Sequence, residues 1–417
     1  VTVGSTSAPE RGLSPAVIER VEAMARPTRR DEAWRYAPHR SLDRLVFGPD
    51  PAPGASPTPD DLDDGLPTVD GPRIVIVNGI VDRSRSTVDG AADGLLVAPL
   101  AVAAERYPDD VAAHVAAGLD DPADAFVALN AANGRDGAFV HVAEGTGSST
   151  PVHIVHVTIP DQEGRTSSAG VVIRLDDAAS ATVVETHVGR GDVFGGSNAR
   201  STVILGRGAS LDHIVLQDLP VTQVLLDRID VRQGEASRYR AWAFNLGASY
   251  GRVAYDVRLD GEAARADLSG LYVGHGDQIL DQQVTVVHAA GDCTSRQSYR
   301  GILDDRSTGV FSGGIDVRPG ADGTDAEQAN DNLLLSRGAE ANTQPRLEIL
   351  ADDVACKHGA TVGQLDDDAL YYLRTRGIGA DEARRLLIKG FADRTVDEVE
   401  LDGVRTWITG RLGHHDG

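Results

Sequence analysis

The sequence predicts a mainly β chain, a long β-solenoid core with helical segments at both ends. Three observations carry this. From about residue 136, short β-branched runs alternate with Gly, Asp and Asn, as in VHIVHVTIP, GVVIRLDD, ATVVETHVG and VAYDVRLDG. A turn motif recurs as Asp177-Ala178-Ala179-Ser180, Gly208-Ala209-Ser210, Gly234-Glu235-Ala236-Ser237, Gly261-Glu262-Ala263-Ala264 and Gly338-Ala339-Glu340-Ala341. Its steps are roughly 26–31 residues, with a last gap of about three such periods, which is the texture of stacked repeats. Aromatics are only 5% while Gly reaches 46 residues, so Val, Ile, Leu and Ala must build the core around tight turns. An antiparallel sandwich of short strands is the alternative on pattern alone.

The elements follow in order. Ser14 before Pro15 reads as an N-cap with proline at the first helical position, and Val17, Ile18, Val21 and Met24 fall at helical spacing before Pro27. DEAWRYAPHRSLDRL holds a second short helix anchored by Trp34 and Leu42. Residues 49–72, rich in proline and acid, read as a linker or loop. RIVIVNGIV is strand-like with an Asn78-Gly79 turn. Helices are expected in PLAVAAERYPDDVAAHVAAGL and in DPADAFVALNAANG, the latter ending at Gly134. The domain reading is residues 1–135 for the N-terminal helical region, 136–360 for the β core and 361–417 for a C-terminal helical domain. In the last, Asp366 caps a helix ending at Gly377, and ADEARRLLIKGFAD gives a second. Thr395 and Glu398 form a capping box for a third. These helices are read either as a cap on the solenoid end or as a docking surface.

Composition narrows the function. A net charge of −23, from 63 acidic and 40 basic residues, argues against nucleic acid and anionic membrane as partners and favours solubility. Two cysteines suit a reducing compartment. VTVGSTSAPERGLSPAV lacks a signal-like apolar stretch, and no run approaches the ~20 residues of a membrane span. The chain is expected to be cytoplasmic. No G-x-x-x-x-G-K-[ST] or G-x-S-x-G motif occurs, so no nucleotide-hydrolysing or serine-hydrolase machinery is visible.

The chemistry-bearing signal lies in LEILADDVACKHGAT. On a strand, Cys356 and His358 project from one face with Cα atoms about 7 Å apart, a spacing that suits sharing a soft or borderline metal. Two ligands are too few for a closed zinc site, so another chain, segment or small ligand must complete any metal centre. The plain alternative is a buried thiol beside a hydrogen-bonded imidazole. A Cys–His nucleophile pair is disfavoured by strand geometry. Cys293 reads as a small core hydrophobe. His153 and His156 face opposite sides of a strand, and His187 precedes a turn; none forms a ligand cluster by itself.

The runs TSRQSYRGILDDRSTGVFSGGIDV, TDAEQANDNLLLSRGAEANTQPRLEILADDVACKHGATVGQLDDDALYYLRTRGI and EARRLLIKGF resemble the SufB/SufD family of iron–sulfur cluster assembly proteins. EAWRYAPHRSL and DAFVALNAANGRDG are similar as well. The clustered N-terminal cysteines expected of SufB are absent, so the other branch is the nearer match. The resemblance implies a right-handed parallel β-helix and a non-enzymatic scaffold role in the SUF system. It implies partnership with SufB and two copies of the ATPase SufC, with iron acquisition or nascent cluster formation at the SufB interface. The chain alone would hold no tight cofactor, only transient iron or cluster. The family's Cys-Ser-His-Gly-Ala-Thr segment falls on Cys356, Lys357, His358, Gly359, Ala360 and Thr361. His358, with Cys356 beside it, is therefore the candidate interface ligand. Lys357 departs from the pattern; it should face away, yet its ammonium is expected to favour the Cys356 thiolate. Leu370, Tyr371, Leu373, Arg374, Leu386, Leu387 and Phe391 of the C-terminal helices are the candidate SufC-docking residues. A homodimer through an exposed solenoid edge is a further expectation. Two readings compete with the scaffold: a purely structural partner with an inert Cys–His pair, and a β-helix polysaccharide-processing enzyme.

Overall fold

The computed structural model describes residues 15–48, 62–88, 94–119 and 124–413. The chain winds as a β-solenoid whose successive strands alternate between two sheets. One collects Gly137–Val142, Arg165–Leu175, Gly195–Leu205, Gln223–Gln233, Tyr250–Leu259, Ile279–His288, Thr308–Val317 and Glu340–Ile349. The other collects Val152–Thr158, Ser180–Gly189, Ser210–Asp218, Arg238–Asn245, Arg265–Gly274, Thr294–Leu303, Thr324–Leu334 and Val354–Gly363. All these strands pair in parallel with the next rung of their own sheet. The parallel pairing decides for the solenoid over the antiparallel sandwich.

Register makes the interior orderly. Alternate residues face the lumen, so one position stacks over its counterpart rung after rung. One file runs Ala181, Leu211, Tyr239, Ala266, Ser295, Ala326 and Cys356. The next runs Val183, His213, Ala241, Leu268, Gln297, Gln328 and His358. Val, Ile, Leu, Ala and a few Tyr fill most of the lumen, each buried aliphatic side chain contributing roughly 1.5–3 kcal/mol.

The corners explain the repeated motif. Ala178, Gly208, Ala236 and Ala263 adopt positive φ, and the next residue, Ala179, Ala209, Ser237 or Ala264, is buried in the turn. Cys293 occupies the same slot after Asp292, fully buried, with its Sγ 3.3 Å from the Gly261 carbonyl. It is the small core residue the sequence predicts. Gly338-Ala339, by contrast, sits at the opposite corner, leading from Thr324–Leu334 into Glu340–Ile349. Both corners need a tight turn and a small residue, so their texture is alike; the true continuation of the first series is Asp292-Cys293 and Gly323-Thr324.

Several boundaries differ from the sequence reading. Strands begin at Arg73–Val77, which pairs in parallel with Val152–Thr158, so the coil reaches well into the N-terminal region. Arg73–Val77 forms a hairpin with Ile80–Val81 through Asn78 and Gly79, both at positive φ. Leu62, in the stretch read as linker, is fully buried against Val75, Val77 and Val155; residues 49–61 and Ser14 lie outside the described residues. The helical run after Pro99 is two helices, Leu100–Arg106 and Pro108–Leu119, because Pro108 has no N–H to continue the first.

Helices clad the flanks. Val21, Trp34, Leu42 and Phe126 pack on the outer face of the first sheet against Leu226 and Tyr250. Helices Ala380–Val396 and Asp402–Gly413, with the segment that links them, lay Val396, Val399, Val404, Trp407 and Ile408 over Ile214, Phe244, Leu271 and Ile302 of the second. The C-terminal helices therefore cover a flank and do not cap the coil. Thr395 lies inside a helix and opens none; Glu398 instead accepts hydrogen bonds from Trp242 Nε1 (3.1 Å) and Ser269 Oγ (2.8 Å), pinning the segment to the sheet. At its first end the solenoid closes with short antiparallel strands, Ile80–Val81 and Leu95–Pro99. Its last end, Glu340–Ile349 and Val354–Gly363, is bare on one side among the described residues.

Candidate functional site

Cys356 and His358 stand on that bare end. Val354–Gly363 is the terminal strand of its sheet and pairs on one side only. Cys356 lies over Ala326 and packs partly against Ile315, Val317 and Ala326; His358 lies over Gln328 and is exposed. The two side chains thus share the lumen-side face of the last rung, as alternation requires. Around them the core is uncovered: Ile349 is 41% exposed and Val362 54%. In a coil, these positions are interior on every earlier rung.

The thiol is not activated. Partial burial, aided by the Asp325 charge and offset by the backbone at Ala326, holds the Cys356 pKa above its ordinary value. Lys357 points outward and pairs with Glu327 at 3.1 Å, so its ammonium is engaged on the opposite face. The expectation that it favours the thiolate is corrected accordingly; a metal ion binding Cys356 must displace the proton itself.

The helix Asp367–Thr375 is capped by the Asp366 side chain, which accepts from the Asp368 and Ala369 amides, and it ends at Gly377 with φ 86°. It buries none of its residues. Tyr371 is 69% exposed, Arg374 is exposed, and Leu370 and Leu373 are half-buried. On the next helix Leu386 is exposed and Leu387 half-buried, whereas Phe391 packs partly onto the flank of the coil. A groove of about 490 Å³ runs between this helix and the sheet, lined by Val273, Ile302, Leu335, Leu386 and Ile388.

A second polar cluster lies deep in the lumen. His156 and His187 are register partners on adjacent rungs, their rings stacked at 4.3 Å. Glu185 accepts from Ser201 Oγ (2.9 Å) and stands 3.1 Å from His156 Nε2 and 2.9 Å from His213 Nε2. Burial pulls the His156 pKa down, and the flanking imidazoles hold Glu185 well below the usual carboxylate range against its own burial. Asp227 enters from the facing sheet, 3.5 Å from His187 Nε2. Sequence reading missed this group because His156 lies about one solenoid turn before Glu185 and His187, and Asp227 comes from the facing sheet further along the chain; the signal was the shared register of HIVHV and VVETHV.

Comparison with known proteins gives the setting. The family model described as SUF system FeS cluster assembly, SufBD core domain, matches residues 157–391, and that for the SufBD protein N-terminal region matches 15–154. The chain belongs to the SufBD family. It is 30% identical to the iron–sulfur cluster assembly protein SufD of Escherichia coli, over 96% of this chain and 92% of that protein. A SufBD family protein of Mycobacterium leprae is 30% identical over 94% and 91%, and SufD of Bacillus subtilis 30% over 67% and 64%. The chain is thus a SufD-like iron–sulfur cluster assembly protein of the SUF system. Within this SufBD chain the residues that the resemblance singled out, Cys356 and His358, are together on one accessible surface. None of the described helices is long and apolar enough to cross a membrane.

Proposed function

We propose that this SufD-like chain is a non-enzymatic cytoplasmic scaffold whose bare solenoid end seats a SufB subunit, with Cys356 and His358 contributing half of a transient site for iron or a nascent cluster. One observation carries the reading: among the described residues, the only Cys–His pair on a shared strand face stands where the coil stops unfinished. An unpaired parallel rung with exposed core positions offers backbone groups and apolar surface to a second protein. A thiol and an imidazole supply soft and borderline ligands, and cargo that must be handed on is poorly served by a closed four-ligand cage. The exposed helix Asp367–Thr375 and the groove beside Leu386 are the surface proposed for the ATPase SufC, which supplies the nucleotide chemistry this sequence lacks.

The test is reconstitution of the complex with the His358→Ala chain under anaerobic conditions. The expected result is loss of cluster formation while all subunits still co-purify. Unchanged cluster formation means an inert pair and a purely structural subunit.

A further inference from the structure

We propose that the lumen of the coil holds a second ion site, separate from the bare end: a divalent first-row transition metal ion, iron(II) or zinc(II), held by His156, Glu185, His187 and Asp227. One ligand atom each from His156, Glu185 and His187 lies within 4.8 Å of the others, and all three residues are buried. Asp227 lies outside that trio, facing it across the lumen with its Oδ2 3.5 Å from His187 Nε2, and moves toward the ion to serve as the fourth ligand.

The second observation is what these groups leave undone. Both nitrogens of His187, both carboxylate oxygens of Asp227 and Nδ1 of His156 are buried without a hydrogen-bond partner. His187 is 1% exposed and Asp227 3%. Buried polar atoms are nearly always paired, and a buried carboxylate without a donor is among the costliest exceptions. The same lumen shows that pairing is achievable: both nitrogens of His213 are satisfied, by Tyr239 at 2.8 Å and Glu185 at 2.9 Å. A histidine–carboxylate pair elsewhere in the chain, His141 with Asp176, closes to 2.8 Å. His187 and Asp227 stop at 3.5 Å, with no hydrogen bond between them.

A cation answers each of these demands. It places positive charge between two carboxylates and consumes imidazole lone pairs that nothing else uses. Two imidazoles and two carboxylates make a nitrogen–oxygen set of the number and kind that zinc and ferrous iron accept. The outer contacts are of the sort that orient metal ligands: Ser201 and His213 both fix the Glu185 carboxylate. Coordination requires the two stacked rings to tilt out of parallel. With no thiol in the set, the site is suited to hold an ion, in contrast to the thiol-bearing end where cargo is proposed to pass.

The test uses the full chain carrying Cys356→Ser and His358→Ala, which removes the end site, produced in medium supplemented with iron and zinc. After anaerobic gel filtration, elemental analysis should find one ion per chain. X-ray absorption should show only nitrogen and oxygen ligands at about 2.0–2.2 Å, without the ~2.3 Å metal–sulfur distance. Adding His187→Asn or Asp227→Asn should cut occupancy at least about tenfold while the β-type circular dichroism persists. Retention of less than a tenth of an ion per chain, a metal–sulfur shell, or unchanged occupancy in the folded lumen variants overturns the proposal. If the lumen variants fail to fold, occupancy and ligand type in the end-site variant decide it alone.

Discussion

His358 is the ladder partner of Gln328, yet Gln328 is 2% exposed and His358 is open to solvent. The same file position is interior on one rung and surface on the next. Both residues sit in strands at the same register; the coil simply ends there. An unfinished end is a liability for an isolated protein and an asset for a subunit, because the outward-facing backbone groups along two ten-residue strands are available for pairing.

That account makes the edge itself sensitive. Val362 is 54% exposed and lies over Asn332 at the rim of the lumen. Val362→Lys should leave the chain folded, within about 0.5 kcal/mol of the parent, since the lysine reaches water. It should abolish co-purification with the companion subunit and suppress any homodimer, because a charge on an edge blocks augmentation. Gel filtration with light scattering reads both.

The two roles of the C-terminal helices should separate. Tyr371 and Tyr372 are 69% and 57% exposed and touch little of the coil. Replacing both with Ala is expected to weaken ATPase binding without changing thermal stability. Trp407, 5% exposed, packs on the flank and donates from Nε1 to the Gly65 carbonyl at 2.8 Å. Trp407→Ala is expected to cost about 3–5 kcal/mol, measured by denaturant unfolding. Deleting the whole C-terminal segment would bare the apolar flank and so cannot test docking cleanly.

Much of the fold was legible. The β-branched runs and the Gly-Ala corners announced a solenoid because stacking imposes the same small-residue demand on every turn. The Asp366 cap and the Asn78-Gly79 hairpin were equally readable, being local. What escaped was whatever depends on which rung meets which. The assignment of Gly338-Ala339 to the wrong corner arose because both corners want the same chemistry. Leu62 looked like linker because its burial is set by Val155, nearly a hundred residues away. The cluster of His156, Glu185, His187 and Asp227 is spread over three turns and two sheets, so no local spacing rule could gather it. The Cys356–His358 pair was legible because it is local to one strand; its position at the bare end was not.

Acid sensitivity follows from other buried histidines. His153, packed on the outer face with Nε2 2.9 Å from Thr186, has its pKa lowered from 6.5 to about 3 by burial; His288, in the lumen, is lowered to about 4 by burial. Both are neutral when folded and take up a proton on unfolding below pH 6.5. Stability is therefore whole above pH 6.5 and falls as pH drops toward 4, each histidine contributing about 1.4 kcal/mol per pH unit. Denaturant titrations from pH 7 to pH 4.5 should show this slope, and His153→Gln should reduce it, leaving the His288 share.

The central claim is that the last rung is a seat for another protein. Amide hydrogen exchange tests it most directly, comparing the isolated chain with the chain bound to SufB. The account predicts strong slowing concentrated in residues 340–349 and 354–363. Unchanged exchange in those two strands, with protection appearing elsewhere, would contradict it.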